Sequence, residues 1–283
     1  MSTASKGQAS DKIFEGHIRD LVASAEYEIR ISEFLSPLEQ RLAFDIACSE
    51  GAGQRCFFWG GVPEAERRRM VMIPDWLTPE KTLTGSAFEL EREEALREIA
   101  SSGADSGAIY SSCTPLEISA SGYAELEHRD YLGSILALGL ERSVVGDIAV
   151  CDAHSAIVFV SSEAAKLLMT DLTRVKNDAV KIKRAELEAS FRIPRAFEVL
   201  TDTVMSARLD GIVKALCKIT REEASDLVEK GDVTLNYITE TRTDRTIVKG
   251  DVLSIRGHGK FIYDGDRGVN RRGRLRIDAR KYV

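Results

Sequence analysis

The sequence is poor in histidine and cysteine, and the few that occur do not stand at the spacings of metal sites or disulfide frameworks. Among 283 residues there are four His and five Cys, and no CxxC, HxH or HExxH arrangement is present. The odd number of cysteines, which lie far apart and at irregular intervals, is typical of inert thiols in a reducing compartment. We therefore expect neither a metal site nor a disulfide.

Long apolar runs are absent as well. A membrane-spanning helix needs about 18 or more apolar residues, whereas the longest apolar-rich piece here, Ile135–Leu140, is short and contains a glycine. Residues 1–10 are polar and lack the apolar core of a secretory signal, although a trimmed organelle transit segment fits them. With 43% hydrophobic and 30% charged residues, the sequence predicts a soluble chain with two or three small cores.

The signature motifs of nucleotide-dependent enzymes are missing. The sequence contains no GxxxxGK[ST] loop and no GxSxG elbow, and the run Arg256–Gly259 lacks the third glycine and the following helix of a dinucleotide fingerprint. The two nucleotide-binding signatures of a tyrosyl-tRNA synthetase are also absent. We expect no cofactor and no catalytic residue.

The charges that are present are unevenly distributed. The whole chain has a net charge of −6, but residues 206–283 hold 17 Lys and Arg against 12 Asp and Glu, which gives +5. The segment 1–205 holds 22 basic and 33 acidic side chains, which gives −11. Such asymmetry is expected when one module binds a polyanion, and a solvated basic tail would produce it equally well.

The first third of the chain predicts a small α/β domain. Helical spacing of apolar residues over 13–31 predicts one helix, and Ser36 with Glu39 forms a capping box for a second. Short apolar runs at 56–59 and 70–73 predict two strands joined by a charged connector. Within that connector, the sequence Arg67-Arg68-Arg69 is more typical of a solvated face than of a phosphate contact.

The middle of the chain alternates as strand, helix, strand, strand, helix, strand. The predicted strands are 115–120, 146–151, 156–160 and 179–185, and the predicted helices are 124–140 and 162–171. This order is the split βαβ pattern of ferredoxin-like folds and RNA-recognition modules. The aromatic box of those modules is missing, and Phe159 is predicted to lie in the core. An RNA contact here would depend on charge, through Arg129, Arg142, Lys181, Lys183 or Arg184.

The final segment predicts two helices on a small sheet. A helix opens at Arg208, with Lys214 and Lys218 four residues apart on one face. Thr220 caps the second helix, which ends near Gly231 and is followed by strands at 233–237 and 252–256. For the basic stretch 267–280, a flexible arm and a final strand are both consistent with the sequence.

Arg221 lies in the first turn of that second helix, where the helix dipole disfavours a cation. Its position therefore predicts a use, such as contact with a phosphate group.

These residues resemble the RNA-binding module named for the fourth small-subunit ribosomal protein, the S-four domain. The matching residues, in chain order, are Arg208, Leu209, Asp210, Thr220, Arg221, Glu223, Ala224, Val228, Gly231, Val233, Asn236, Gly250 and Asp251. Thr220 stands where the family usually has Ser, and Tyr237 departs from the glycine that the family has in its Val-Asn-Gly turn.

Other stretches extend the resemblance over nearly the whole chain. They are Phe34–Pro37, Gln40, Gly60, Gly61, Ala65–Arg67, His128–Ser134, Leu138–Leu140, Gly146–Ile148 and Arg256–Phe261. In these the chain is similar to the YlmH family of bacteria and its plastid relatives, called photosystem II S-four domain proteins.

The resemblance implies an α+β protein in three parts. These are an N-terminal α/β domain at 1–105, a ferredoxin-like domain of RNA-recognition type at 106–200 and an S-four domain at 206–283. Bacterial members of the family are linked to the large ribosomal subunit and peptidyl-tRNA in rescue of stalled ribosomes. The implied function is non-catalytic binding of structured rRNA or tRNA in ribosome quality control, in the bacterial cytoplasm or the plastid stroma. We expect a monomer.

The side chains expected to contact RNA all lie in the predicted S-four domain. They are Arg208, Lys214, Lys218, Thr220, Arg221, Asn236, Arg245, Lys249, Arg256 and Lys260. Two other functions stay open. An RNA-modifying enzyme of pseudouridine synthase type would use Asp210 as nucleophile, because Arg-Leu-Asp also occurs at that active site. A protein–protein adaptor would instead use the acidic segment 1–205, with weak salt dependence of binding.

Overall fold

A computed structural model describes residues 3–63, 65–79, 83, 90–101, 106–188 and 190–283. The helices in these ranges are α1 (Thr3–Ser24), α2 (Pro37–Ser49), α3 (Leu90–Ser101), α4 (Ser106–Ser111), α5 (His128–Leu136), α6 (Ser162–Asp171), α7 (Leu209–Cys217) and α8 (Arg221–Glu229). The first eight strands are β1 (Arg30–Leu35), β2 (Cys56–Trp59), β3 (Arg68–Met72), β4 (Thr114–Ala120), β5 (Val145–Asp152), β6 (Ser155–Val160), β7 (Arg174–Val175) and β8 (Asp178–Arg184). The remaining strands are β9 (Phe197–Val204), β10 (Val233–Leu235), β11 (Ile238–Thr239), β12 (Val252–Ile255), β13 (Gly259–Val269) and β14 (Leu275–Tyr282).

The fold is α+β, as the sequence predicts, and the chain divides into two compact units, Met1–Pro194 and Arg195–Val283. All strand pairs among the described residues are antiparallel. None of the described helices combines the length and the apolar character that a bilayer-spanning segment needs.

The first unit begins with α1 and α2 beside a three-stranded sheet in the order β1-β3-β2. The Ser36–Glu39 capping box predicted for α2 is confirmed, with the Ser36 N–H donating to the Glu39 carboxylate at 2.6 Å. The helix predicted over 13–31 is confirmed as far as Ser24, but its predicted end is wrong, because residues 30–35 form a strand. Pairing with the central strand β3 overrides the local helical periodicity there.

The first unit also contains a five-stranded sheet in the order β5-β6-β4-β8-β7. Its first four strands follow the split βαβ order predicted from the sequence, and α5 and α6 pack on one face around Tyr131 and Leu168. Helix α5 is shorter than the predicted span 124–140, because the Ala124 N–H is already bound by the Asp178 carboxylate. A capping box of Glu127 and Asp130 then starts the helix.

The other face of this five-stranded sheet is partly covered by a second apolar cluster. Phe159 of β6 is fully buried there, as predicted, and packs in one cluster with Phe34 and Trp59. Gly61 has φ +92°, and a Cβ at this position would lie 2.5 Å from the Phe159 ring. The absence of a side chain at Gly61 therefore lets the backbone pass directly over the phenyl ring.

The second unit is built on a six-stranded sheet in the order β11-β10-β12-β13-β14-β9. Helices α7 and α8 pack on one face of it, where Leu209, Ile212 and Val228 join Phe261 and Tyr263 in a single core.

Three of its strands, β9, β11 and β13, are not among the predicted elements. The basic stretch after residue 267 forms part of a hairpin, because β14 runs over Leu275–Tyr282 and pairs with both β13 and β9. Of the two conformations open for this stretch, the structure has the strand.

Strand β9 also bears on the predicted domain boundaries. Residues 197–204 cross the predicted end of the central domain at 200 and pair along β14 of the second unit. The division of Met1–Pro194 into two domains at position 105 stays a prediction.

Candidate nucleic-acid interface

Helix α7 presents two lysines to solvent because its opposite face is buried. Leu209, Ile212 and Leu216 lie in the core, so the three- and four-residue spacing places Lys214 outside. The helix ends at Lys218, whose backbone adopts the left-handed conformation with φ 56°. The ammonium groups of Lys214 and Lys218 form no ion pair within the part of the chain that the structure describes.

Helix α8 starts with the predicted capping box. The Glu223 N–H donates to the Thr220 hydroxyl at 3.2 Å, and the Thr220 N–H donates to the Glu223 carboxylate at 2.8 Å. The Thr220 backbone N–H, and secondly the Thr220 hydroxyl, which donates to the same carboxylate at 2.8 Å, hold the pKa of Glu223 below its ordinary value. The Thr220 hydroxyl, which was predicted to contact RNA, is therefore already engaged in the cap.

Asp210 is a buried carboxylate that holds two arginines. Arg221 donates to its Oδ2 from Nη2 at 2.8 Å and from Nε at 3.2 Å, while Arg208 donates to its Oδ1 at 3.2 Å. Burial alone would raise the pKa of Asp210, but the bonds from Arg221, Arg208 and the Gly211 N–H outweigh it and lower the pKa.

This ion pair accounts for Arg221 in the first turn of α8, where the dipole disfavours a cation. Arg221 keeps 63% of its side chain exposed, so it still presents a cationic edge to solvent. Asp210 is 3% exposed and both its oxygens are bonded, which is a structural role and not the exposed position of a nucleophile.

A groove on the helix side of the second unit brings several cations together. Its lining residues are Asp202, Thr203, Val204, Met205, Ser206, Asp210, Gly211, Lys214, Ala215, Lys218, Ile219, Arg221 and Arg274. Four of these side chains are basic and two are acidic, and the Asp210 carboxylate is already neutralised by arginines. The groove therefore has the positive charge that suits phosphate groups.

Arg274 is the groove cation that the sequence did not single out. It lies in the turn between β13 and β14, where the Asn270 side chain accepts its backbone N–H at 3.1 Å. The Nε atom of Arg274 is buried and makes no hydrogen bond within the described residues. The sequence signal was only its place in a basic stretch, since its approach to α7 depends on the hairpin folding back.

Asn236 has a structural role in a tight turn. Its side chain donates to Asp251 at 2.8 Å and accepts the Val252 N–H at 3.0 Å. Asn236 and Tyr237 both have positive φ, 49° and 69°, which is the geometry of a type I′ hairpin turn. The turn between β10 and β11 is thus kept, although tyrosine stands where the similar family has glycine.

The other predicted contact residues lie outside the lining of the groove. Arg256 forms an ion pair with Asp232 at 3.2 Å. Arg245 and Lys249 are exposed, and Lys260 lies over two tyrosine rings on the sheet. Of the predicted contact residues, the structure therefore brings together Lys214, Lys218 and Arg221 in the groove. Arg208 shares the Asp210 carboxylate with Arg221.

Several cations of the first unit turn out to bind backbone carbonyls. Arg67 donates to the carbonyls of Phe34 and Val145, so the predicted solvated face of the triple-arginine connector is wrong. Burial, and secondarily Arg67, lowers the pKa of Arg142 to about 10, and its guanidinium donates to the Gly146 carbonyl at 3.1 Å. A guanidinium has five donors and so can join several chain segments at once.

Comparisons with known proteins identify relatives of this chain. The family model described as "Putative RNA-binding domain in YlmH" matches residues 116–189, the ferredoxin-like part of the first unit. The "Ribosome-associated protein quality control protein P2" of Bacillus subtilis is 26% identical over 257 residues, covering 90% of this chain and 88% of the relative. A solved structure, "Cell division protein ylmH from Streptococcus pneumoniae", aligns with a TM-score of 0.45 and 17% identity, over 62% of this chain and 92% of that one.

The matched domain and the full-length relative support the resemblance read from the sequence motifs. Residues 116–189 thus match the RNA-binding domain of YlmH, and nearly the whole chain is similar to a ribosome-associated quality control protein.

Proposed function

We propose that this protein is a non-catalytic RNA-binding protein that holds the phosphate backbone of structured RNA in the basic groove. The observation that carries the proposal is the convergence of Lys214, Lys218, Arg221 and Arg274 from two helices and a hairpin around one groove. Binding through phosphates is strong at low salt and carries little sequence information. We therefore expect the shape of the RNA, more than its sequence, to determine binding.

We further propose that the RNA belongs to the translation machinery. The Bacillus subtilis relative is named as a ribosome-associated quality control protein, and this chain aligns with 88% of its length. The large ribosomal subunit and peptidyl-tRNA are the partners that this function requires, in the bacterial cytoplasm or the plastid stroma. The same proposal makes the protein a monomer that needs no cofactor.

Titration of a labelled RNA hairpin with the full-length protein at several salt concentrations tests the groove. If the four cations contact phosphates, the logarithm of affinity falls with the logarithm of salt concentration with a slope of about −3 to −4. Replacing both Lys214 and Lys218 by Ala should weaken binding and make the slope shallower by about 1.5.

The matched control removes two lysines elsewhere, Lys12→Ala with Lys230→Ala, and should leave the slope within error of wild type. Equal affinity of the Lys214/Lys218 variant and the wild type would refute the groove as the binding site. Tight binding to a protein partner with almost no salt dependence would favour the adaptor function.

Sedimentation of a cell or plastid lysate through a sucrose gradient tests the ribosome link. We expect salt-sensitive migration of the protein with the large subunit, and its loss in the Lys214/Lys218 variant. Migration of both proteins at the top of the gradient would contradict ribosome association.

A further inference from the structure

The six-stranded sheet of the second unit has a second face that carries aromatic and cationic side chains. Phe261, Tyr263 and Ile277 point to the helices, so their neighbours along β13 and β14 point the other way. Those neighbours include Lys260, Arg280 and Tyr282, and each is partly exposed. We call this surface, formed by Phe197, Tyr237, Lys260, Arg280 and Tyr282, the aromatic face.

Its side chains contact each other in a continuous row across the sheet. The Lys260 ammonium lies 4.5 Å from the ring centroid of Tyr282 and 5.1 Å from that of Tyr237. Tyr282 packs edge-on against Phe197, its cross-strand partner, with centroids 4.9 Å apart. Arg280 lies over the Phe197 ring at 5.0 Å and completes the row. Its guanidinium is held by the Asp264 carboxylate at 2.8 Å, so Lys260 is the cation of this face that the proposal uses.

The position of Tyr237 is conformationally costly. Its φ of 69° lies in the left-handed region, which costs a residue with a Cβ energy that glycine avoids. The neighbouring Asn236 supports the turn through its side chain, which donates to Asp251 and accepts the Val252 N–H. A strained residue whose ring is displayed beside a cation is a feature expected of a binding surface.

We propose that the aromatic face binds an unpaired segment of RNA, with bases stacking on Tyr282 and Tyr237 and a phosphate bonded by Lys260. The inference rests on the proposed RNA-binding function and adds a second, chemically different surface to it. Aromatic rings receive bases of any identity because every base has a π-face, and a lysine between two rings matches the alternation of base and phosphate. The net charge of +5 over residues 206–283 complements such a strand.

Two RNAs separate this inference from the function on which it rests. One is a blunt-ended hairpin closed by a compact loop whose bases stack on each other, and the other is the same hairpin with a four-nucleotide single-stranded extension that carries 2-aminopurine. The full-length wild type should bind the extended RNA more tightly than the blunt hairpin, and the 2-aminopurine fluorescence should fall on binding because the base stacks.

Tyr282→Ala should weaken binding of the extended RNA by about 5- to 150-fold, the effect of losing one stacked base, and leave the blunt hairpin unaffected. Tyr282→Phe keeps the ring and should restore both affinity and quenching. Tyr123→Ala, which removes a tyrosine that is 83% exposed in the first unit, is the matched control and should change neither.

Each outcome decides one of the two proposals. Equal wild-type affinity for both RNAs, without quenching, overturns the aromatic face while leaving the groove in place. Loss of blunt-hairpin binding in Tyr282→Ala to the same extent as extended binding also overturns it, because the two surfaces would then not be separate. Failure of the wild type to bind the blunt hairpin refutes the groove instead.

Discussion

The two helix-covered sheets of this protein differ in what they carry on the opposite face. In the five-stranded sheet, Lys183 of β8 pairs with Glu117 of β4 at 3.0 Å, and the aromatic residue of that face, Phe159, is buried. In the six-stranded sheet, Lys260 lies over two tyrosine rings that are partly exposed. On the five-stranded sheet the ring is buried and the lysine is paired with a carboxylate. On the six-stranded sheet the lysine lies over partly exposed rings.

The difference concerns how a cation is held. Lys183 lies beside a carboxylate that carries the opposite charge, whereas Lys260 lies over aromatic rings, which attract a cation without carrying a charge of their own. In the sheet that matches the RNA-binding domain of YlmH, the charge of Lys183 is therefore balanced by the carboxylate of Glu117. The net charge of +5 over residues 206–283 lies in the unit that contains the second sheet and the groove of α7 and α8.

The largest expected effect is on folding stability at the aromatic positions themselves. Phe159→Ala should lower the free energy of unfolding by about 3 to 5 kcal/mol, because it leaves a cavity in a packed cluster. Tyr282→Ala should cost only about 1 kcal/mol, since its ring is partly exposed and loses one edge contact and one cation contact. Urea denaturation measures both. Equal losses of unfolding free energy in the two variants would contradict the distinction between a ring packed in a core and a ring that is partly exposed.

Two carboxylates, one in each unit, are expected to give intermediate losses in the free energy of unfolding when they are replaced by Asn. Asp210 of the second unit binds guanidinium groups, and Asp210→Asn should cost about 2 kcal/mol at pH 7. Because the folded pKa of Asp210 is depressed, its contribution is present above the ordinary value of 3.8 and disappears as pH falls through the folded value. Wild type should therefore lose stability on acidification more steeply than the Asn variant.

Asp178 of the first unit is the contrast. Its pKa is lowered chiefly by the Ser121 hydroxyl, then by backbone N–H groups such as that of Ala124, so neutral donors hold it. We expect the effect of Asp210→Asn to shrink in 1 M salt and that of Asp178→Asn to stay constant. Equal salt sensitivity, measured by urea denaturation, would contradict this assignment of partners.

Tyr237→Gly should raise the free energy of unfolding by up to about 1 kcal/mol, because glycine adopts positive φ without strain. The lost contact with Lys260 offsets part of this gain. The same variant should bind RNA with a single-stranded extension more weakly, so stability and affinity change in opposite directions. A variant that is both more stable and fully active would argue that the ring has no function.

The smallest effect is expected for the exposed ion pair of the five-stranded sheet. Lys183→Ala should change the free energy of unfolding by less than about 0.5 kcal/mol, because exposed pairs contribute little. Its effect on blunt-hairpin affinity should be less than twofold. A loss comparable to that of Lys214→Ala would show that the first sheet takes part in phosphate binding.

Local signals in the sequence predicted the elements whose stability depends on neighbours along the chain. The capping boxes at Ser36 and Thr220 and the helical spacing of Lys214 and Lys218 predicted α2, α7 and α8, and all three helices are confirmed. The start of strand β1 falls in a predicted helix because its apolar residues continue a helical spacing, and only pairing with β3 makes it a strand.

The candidate site was predictable only in part. Lys214 and Lys218 could be found from their spacing along and just after α7, and Arg221 from its unusual position in the first turn of α8. Arg274 and Tyr282 could not, since Arg274 reaches the groove beside α7, and Tyr282 reaches Lys260, only when the hairpin β13–β14 forms.

The sequence by itself determined the α+β class, the YlmH-type motifs and the charge asymmetry, because these depend on composition, spacing and local hydrogen bonding. The tertiary structure decided which charges are available. Arg67 is bound by backbone carbonyls, Arg221 is paired with Asp210 but stays 63% exposed in the groove, and Lys214 and Lys218 face solvent there. Whether a cation binds its own protein or a partner depends on carbonyls and carboxylates far away in the sequence, and these come close only in the folded chain.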